Sequence, residues 1–356
     1  MPPGGPPPLR TVHILLSCDT DPDRPGFLDG GTDRFTWRGM TEGIPAVKQL
    51  VRGVTDSRGR APIFTWFLRA DEQMQTLYGA YGAVVREQQA LLRTLAESGD
   101  ELGWHPHFWR RERDGRWYQE VEDEPWQLEM LRRGYQDLAA ALPAGAPPAS
   151  VRMGWAYHTT RTYTELERLG VRVDCSALPG YRTYRGTAPT RGENNFDWYV
   201  TPEQPFRPSR VDHRRAPRAG EAAFDLLEAP SFVTRSRGWA VISALQLTRK
   251  TGDPGLLWDA LRRPVYCINV TARAALFVPL VRGLRDAVRD HPGAGPILFS
   301  TQFHADELVP NRSTLYRLES LRDNVQALVR AAQEAGAAVE FIQAREVPAR
   351  WAGTAT

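Results

Sequence analysis

Residues 12–21 read VHILLSCDTD. The first six form an apolar run of the length and β-branched character expected of a strand buried on both faces. That run leads straight into two carboxylates, Asp19 and Asp21. They stand two apart, so an extended chain turns both to one face. Carboxylates on one face repel each other unless a cation or a shared proton relieves them. A buried strand that ends in such a pair fits parallel α/β architecture, where sites form at the ends of strands.

Working outward, further short apolar runs alternate with amphipathic segments. Strands are expected over 61–68, 101–105, 150–155, 171–177, 223–230, 265–270, 296–303 and 338–344. Helical spacing marks 43–51, 81–99, 125–142, 162–170, 272–291 and 313–336. Strands separated by helices imply a parallel sheet covered by helices. About eight such units point to an α/β fold, a distorted (β/α) barrel of seven or eight strands. The expected layout is a Pro/Gly-rich disordered tail over 1–10 and one barrel domain over 11–350. Near 178–222 the rhythm breaks in a Pro-, Arg- and Gly-rich stretch, which reads as a loop insertion. Neither GxGxxG nor GxxxxGK[ST] occurs, so no phosphate-cradling loop is expected.

Bulk composition excludes some functions. The 356 residues carry 45 basic and 42 acidic side chains, a net charge of +3 that argues against a dedicated nucleic-acid surface. The cysteines, Cys18, Cys175 and Cys267, lie far apart, at neither disulfide-framework nor metal-site spacing, and are expected to be buried free thiols. That usage suits a reducing compartment. With no secretory h-region and no run of about 18 apolar residues, no transmembrane segment is expected and the simplest location is the cytoplasm.

The chemistry-bearing residues fall at expected strand ends. In ELGWHPH (101–107), His105 and His107 share a face as the two aspartates do, and Pro106 suits a strand end. Asp21, His105 and His107 together make a two-imidazole, one-carboxylate set for a divalent metal with open positions, a catalytic rather than structural arrangement. Zn2+ is the default, with Co2+, Ni2+ or Mn2+ as alternatives. Asp19 stands as general base for a water whose pKa the cation lowers towards roughly 7. His304, closing the strand at 296–303, stands as the acid for the leaving group. Arg152 lies in the strand at 150–155. This is a constellation for hydrolysing an acyl bond.

These residues resemble, in order and spacing over about 12–347, the polysaccharide deacetylases with the NodB-homology fold, carbohydrate esterase family four. ILLSCDTD resembles the first motif in its Asp-x-Asp form, which implies Asp19 as base and Asp21 as metal ligand. SGDELGWHPH resembles the GHEIGxH motif, VRMGW the motif whose arginine positions the base, here Arg152, and STQFHADEL the motif whose histidine is the acid, here His304. FDWYV (196–200) resembles the Asp-Trp motif that lines the pocket. Two departures stand out. The position four after His105, where the family places its second histidine, holds Trp109, and the third motif continues Met-Gly-Trp.

The resemblance implies removal of acetyl or other short acyl groups from N-acylated sugars. Sugar sites favour aromatic platforms, so Trp104, Trp155 and Trp198 are expected to contact a small-molecule or glycan substrate. Two other readings compete: a non-catalytic glycan- or partner-binding relative, motivated by Trp109, and an amidohydrolase acting on a non-sugar amide.

Overall fold

The computed structural model describes residues 10–23, 35–143, 147–182, 196–251, 254–290, 295–310 and 315–352. The expected tail, apart from Arg10, and residues 183–195 of the expected loop insertion lie outside the described residues.

The strands in chain order are β1 (Thr11–Thr20), β2 (Phe64–Arg69), β3 (Glu101–His105), β4 (Trp109–Arg111), β5 (Trp117–Gln119), β6 (Ser150–Val151), β7 (Val173–Asp174), β8 (Leu227–Glu228), β9 (Thr234–Arg235), β10 (Val265–Tyr266), β11 (Ile297–His304) and β12 (Ala338–Phe341). The helices are α1 (Ile44–Leu50), α2 (Glu72–Tyr78), α3 (Ala83–Glu87), α4 (Gln89–Glu97), α5 (Glu124–Ala141), α6 (Thr160–Arg168), α7 (Arg237–Thr251), α8 (Gly255–Arg262), α9 (Ala274–Asp290), α10 (Leu318–Glu334) and α11 (Val347–Trp351).

β1 is the hub. β11 pairs along one edge from Val12 opposite Ile297 to Asp19 opposite His304. The other edge is divided: β12 takes Thr11 to Ile14, and β2 takes Leu16 to Thr20. From β2 the sheet continues through β3, β6, β7 and β8, giving eight parallel strands in a half-closed barrel with helices around it. β1 and β2 are buried almost throughout, which explains their unbroken apolar character.

Alternation divides each strand between two cores. Ile14, Leu16, Cys18, Phe64, Trp66, Leu68 and Trp104 face the helices. Leu15, Phe67, Val173, Cys175, Leu227 and Leu298 fill the barrel interior together with Ile342, Ala344, Val347 and Trp351. Towards the C-terminal strand ends the interior positions turn polar. Ser17 and Asp19 follow Leu15, Arg69 follows Phe67, and Ser300, Gln302 and His304 follow Leu298. The register sets Asp19 beside His304 and Arg69 beside His105.

Several expected elements differ, the 171–177 and 223–230 strands among them, which shorten to the two-residue β7 and β8. The 81–99 helix is two, α3 and α4, broken at Gln88, whose φ of −104° and ψ of 22° are not helical. The 150–155 strand is only two residues long, because Ser176 Oγ takes the Met153 N–H and Trp155 and Ala156 adopt positive φ. The 265–270 strand is β10, which pairs antiparallel with β9 outside the main sheet. Tyr181 bonds the Val265 carbonyl and the Cys267 N–H there, so its hydroxyl replaces ladder partners. Cys18 and Cys175 are buried free thiols as expected, whereas Cys267 is only half-buried. No helix of the described residues is long and apolar enough to cross a membrane.

Candidate active site

A cavity of about 280 Å³ opens at the C-terminal ends of the strands. Its polar wall holds Asp19, Asp21, His105, His107, Arg152 and His304, brought together from β1, β3, the turn after β6, and β11. Trp155 lines it too, with Met153, Leu178 and Phe196.

Asp21, His105 and His107 are buried, and their donor atoms lie within 4.8 Å of one another. His105 Nδ1 lies 2.8 Å from the Arg152 carbonyl oxygen. A carbonyl only accepts, so Nδ1 carries a hydrogen and Nε2 faces the cavity. Its Nε2 stands 3.0 Å from His107 Nε2, and Asp21 Oδ1 lies 3.7 and 3.6 Å from the two. Two imidazole nitrogens this close need a shared hydrogen or a cation between them. Burial, followed by the Arg69 charge, holds the His107 pKa well below its ordinary value and keeps the ring neutral. Burial favours the neutral acid at Asp21. The adjoining His105 and His107 rings, then the Arg69 charge, overcome it and hold the carboxyl well below the usual range. Two imidazoles, a carboxylate held in its charged form and an outer hydrogen bond on His105 are the donor chemistry of a divalent-metal site, and the residues fit one.

Asp19 sits beside this set. One oxygen accepts from Arg152 Nη1 at 3.1 Å; the other faces His304 Nε2 at 3.7 Å and His105 Nε2 at 4.0 Å. Arg152 is itself fixed by its Nε bond to the Cys175 carbonyl at 2.9 Å. On the far side His304 Nδ1 meets Glu307 at 3.4 Å and Asn269 at 3.3 Å. Burial opposes a proton on His304, but Glu307, then Asp19 and Asp21, outweigh it and raise its pKa to about 9.

Trp104 and Trp198 do not line the cavity. Trp104 is fully buried among the helix-facing residues, its Nε1–H bonded to the Ala70 carbonyl at 2.9 Å. On a strand, a neighbour of inward-pointing His105 must point outward. Trp198 is also buried, bonded to the Ala156 carbonyl at 2.8 Å and packed edge-on against His158 and His213, so it supports the turn that carries Trp155.

Several site residues escaped the sequence reading. Arg69 and Asp71 close β2: Arg69 donates to Asp21 Oδ1 at 2.6 Å and to Asp71 Oδ2 at 2.8 Å, and Asp71 Oδ2 accepts the His107 N–H at 3.1 Å. Their signal was available, an Arg and an Asp two apart at the end of a buried strand. Glu307, three after His304, was legible by the same logic. Ser176 and Asn269 were not, because their strands are very short or lie outside the sheet.

No family model matches the chain, and no curated protein matches it. Among solved structures it is similar to a protein from Parabacteroides distasonis described as a glycoside hydrolase/deacetylase. The two are 13% identical with a TM-score of 0.57 over 97% of this chain and 72% of that one. A protein from Mycobacterium smegmatis described as a polysaccharide deacetylase matches at 14% identity and a TM-score of 0.49, over 99% and 95% of the two chains. The fold of this chain is thus the distorted (β/α) barrel of the polysaccharide-deacetylase type.

Proposed function

We propose that the chain is a metal-dependent hydrolase that removes an acetyl or other short acyl group from an N-acylated sugar. One observation carries this reading: Asp21, His105 and His107 converge on a cavity wall where Asp19 stands between Arg152 and His304. Asp21, His105 and His107 would hold the cation, with zinc as the default for such donors. When bound, it supplies Lewis acidity to an acyl carbonyl and to water.

The chain's own groups do the rest. Asp19 accepts a proton from the attacking water through the oxygen that Arg152 leaves free. Arg152 fixes the carboxylate in place. His304, charged at neutral pH and beside Asp19 on the same wall, gives its proton to the departing amine. Met153, Leu178 and Phe196 offer an apolar seat for the acyl methyl, and Trp155 a face for a sugar ring. The volume of about 280 Å³ suits an acyl group and one ring rather than a buried oligomer.

Elemental analysis tests the reading, comparing wild type with the His105→Ala/His107→Ala double variant after identical dialysis. About one zinc-like ion per wild-type chain, lost in the variant, is the expected result, followed by acetate release from N-acetyl sugars by wild type. A chain that takes up no metal after soaking, and binds sugar without turnover, overturns it in favour of a non-catalytic barrel.

A further inference from the structure

Arg69 is fully buried and ends in the candidate metal site. Its Nη1 lies 2.6 Å from Asp21 Oδ1, the same oxygen that stands 3.7 and 3.6 Å from the two imidazole nitrogens. It cannot swing away. Asp71 Oδ2 holds its Nε at 2.8 Å and Gln73 Oε1 its Nη2 at 3.0 Å. Those partners are also fixed, because Asp71 Oδ1 caps α2 by accepting from the Gln73 and Met74 N–H groups. An arginine stays charged whatever its surroundings.

Asp19, Asp21, Asp71 and Glu307 supply four negative charges, and Arg69, Arg152 and protonated His304 three positive ones, leaving a formal −1. With Arg69 neutral the same wall carries −2, and Asp21 has no guanidinium on its ligand oxygen. A dication and a guanidinium that share one carboxylate oxygen repel each other across a few ångströms of buried space.

We propose that Arg69 is a built-in counter-ion that competes with the metal for Asp21 and holds the affinity of the site below what its three donors alone would give. The inference rests on the metal-site reading above. Such a residue keeps the ligand carboxylate in place whether or not a cation is present, and makes the cation exchangeable rather than structural.

The test is a Co2+ titration against a competing chelator for wild type, Arg69→Gln and Arg69→Lys, with thermal melts in Co2+ and in EDTA. Arg69→Gln keeps a donor for the carboxylates and drops the charge. It is expected to bind Co2+ about tenfold or more tightly than wild type, the scale of one nearby unit charge, and to lose more thermal stability in EDTA. Arg69→Lys keeps the charge and is expected to stay within about threefold of wild type. If Arg69→Gln folds only in Co2+, the cation is replacing the lost charge at Asp21, which supports the proposal. A folded Arg69→Gln that binds Co2+ no better than wild type overturns it, as does an unfolded one that Co2+ fails to rescue. Folded proteins that all take up no metal overturn the metal-site reading itself, a result independent of residue 69.

Discussion

Asp19 joins both halves of the proposed chemistry, since one oxygen is occupied by Arg152 and the other faces the cavity. Asp19→Asn keeps the shape and removes the base. Turnover is expected to fall by about 10²–10⁴-fold while the metal content of the dialysed protein stays at the wild-type level; retained turnover would show that another group takes the proton. His304 gives a pH signature. Its folded pKa of about 9 lies above the ordinary 6.5, so its contribution to stability is complete below 6.5 and is lost as pH rises through 9. The acid is protonated over the same range, which places an alkaline limb of kcat/KM near pH 9. Glu307→Gln removes the leading cause that opposes burial, so the limb should move towards neutrality. A pH–rate profile unchanged by Glu307→Gln would remove His304 from the acid role. At this scale much of the polar wall was legible, because period-two spacing at strand ends brings the right atoms to one face. The same spacing argues against Trp104, which alternates with His105 and therefore packs on helices.

The turn after β6 shows how elements hold the second histidine in its unusual place. Gly154 N–H donates to the Pro106 carbonyl at 2.8 Å, which ties this turn to the HPH segment. A Cβ on Gly154 would lie 2.2 Å from His107 Cγ and Nδ1, so only glycine lets the ring occupy that position. Gly154→Ala must displace either the turn or the ring. The expected result is a loss of about 10–100-fold in metal affinity with far-UV circular dichroism unchanged, read by chelator competition; full affinity would mean the ring moves without cost. Legibility varied between elements for physical reasons. α4, α6, α9 and α10 carry clear apolar stripes and could be read from spacing alone. α7 has no stripe, so periodicity had nothing to detect. The β4–β5 hairpin was missed although Asp114–Gly115 is a turn signal, with Gly115 at φ 93°. β6, β7 and β8, two residues each, are strands by virtue of their neighbours in the sheet rather than any pattern of their own.

Across the whole molecule the barrel divides chemistry from stability along its axis. The gap between the outer strands β8 and β11 is bridged by single backbone bonds, Phe232 N–H to Ser300 O at 2.8 Å and Val270 N–H to Gln302 O at 3.0 Å, which is why the barrel is distorted rather than evenly closed. Polar side chains collect at the C-terminal strand ends. At the opposite end Ile342, Ala344, Val347 and Trp351, from β12 through α11, plug the interior below Leu15, Phe67 and Leu298. Trp351 is only 7% exposed and meets the His13 ring edge-on at 5.5 Å, at the start of the strand whose far end carries Asp19 and Asp21. In barrels of this kind the N-terminal face serves stability and the C-terminal face the reaction. Trp351→Ala should therefore separate the two. Deleting a buried indole costs about 3–5 kcal/mol, enough to lower the urea midpoint clearly. Because the plug and the polar cavity lie at opposite ends of the strands, metal stoichiometry and kcat at 25 °C should remain within about twofold of wild type. The measurement pairs a urea unfolding curve with a metal assay and a rate on the same preparation. A variant as stable as wild type would mean that α11 is not part of the interior core. One that keeps its stability but loses metal would mean that the two ends of the barrel are coupled through β1.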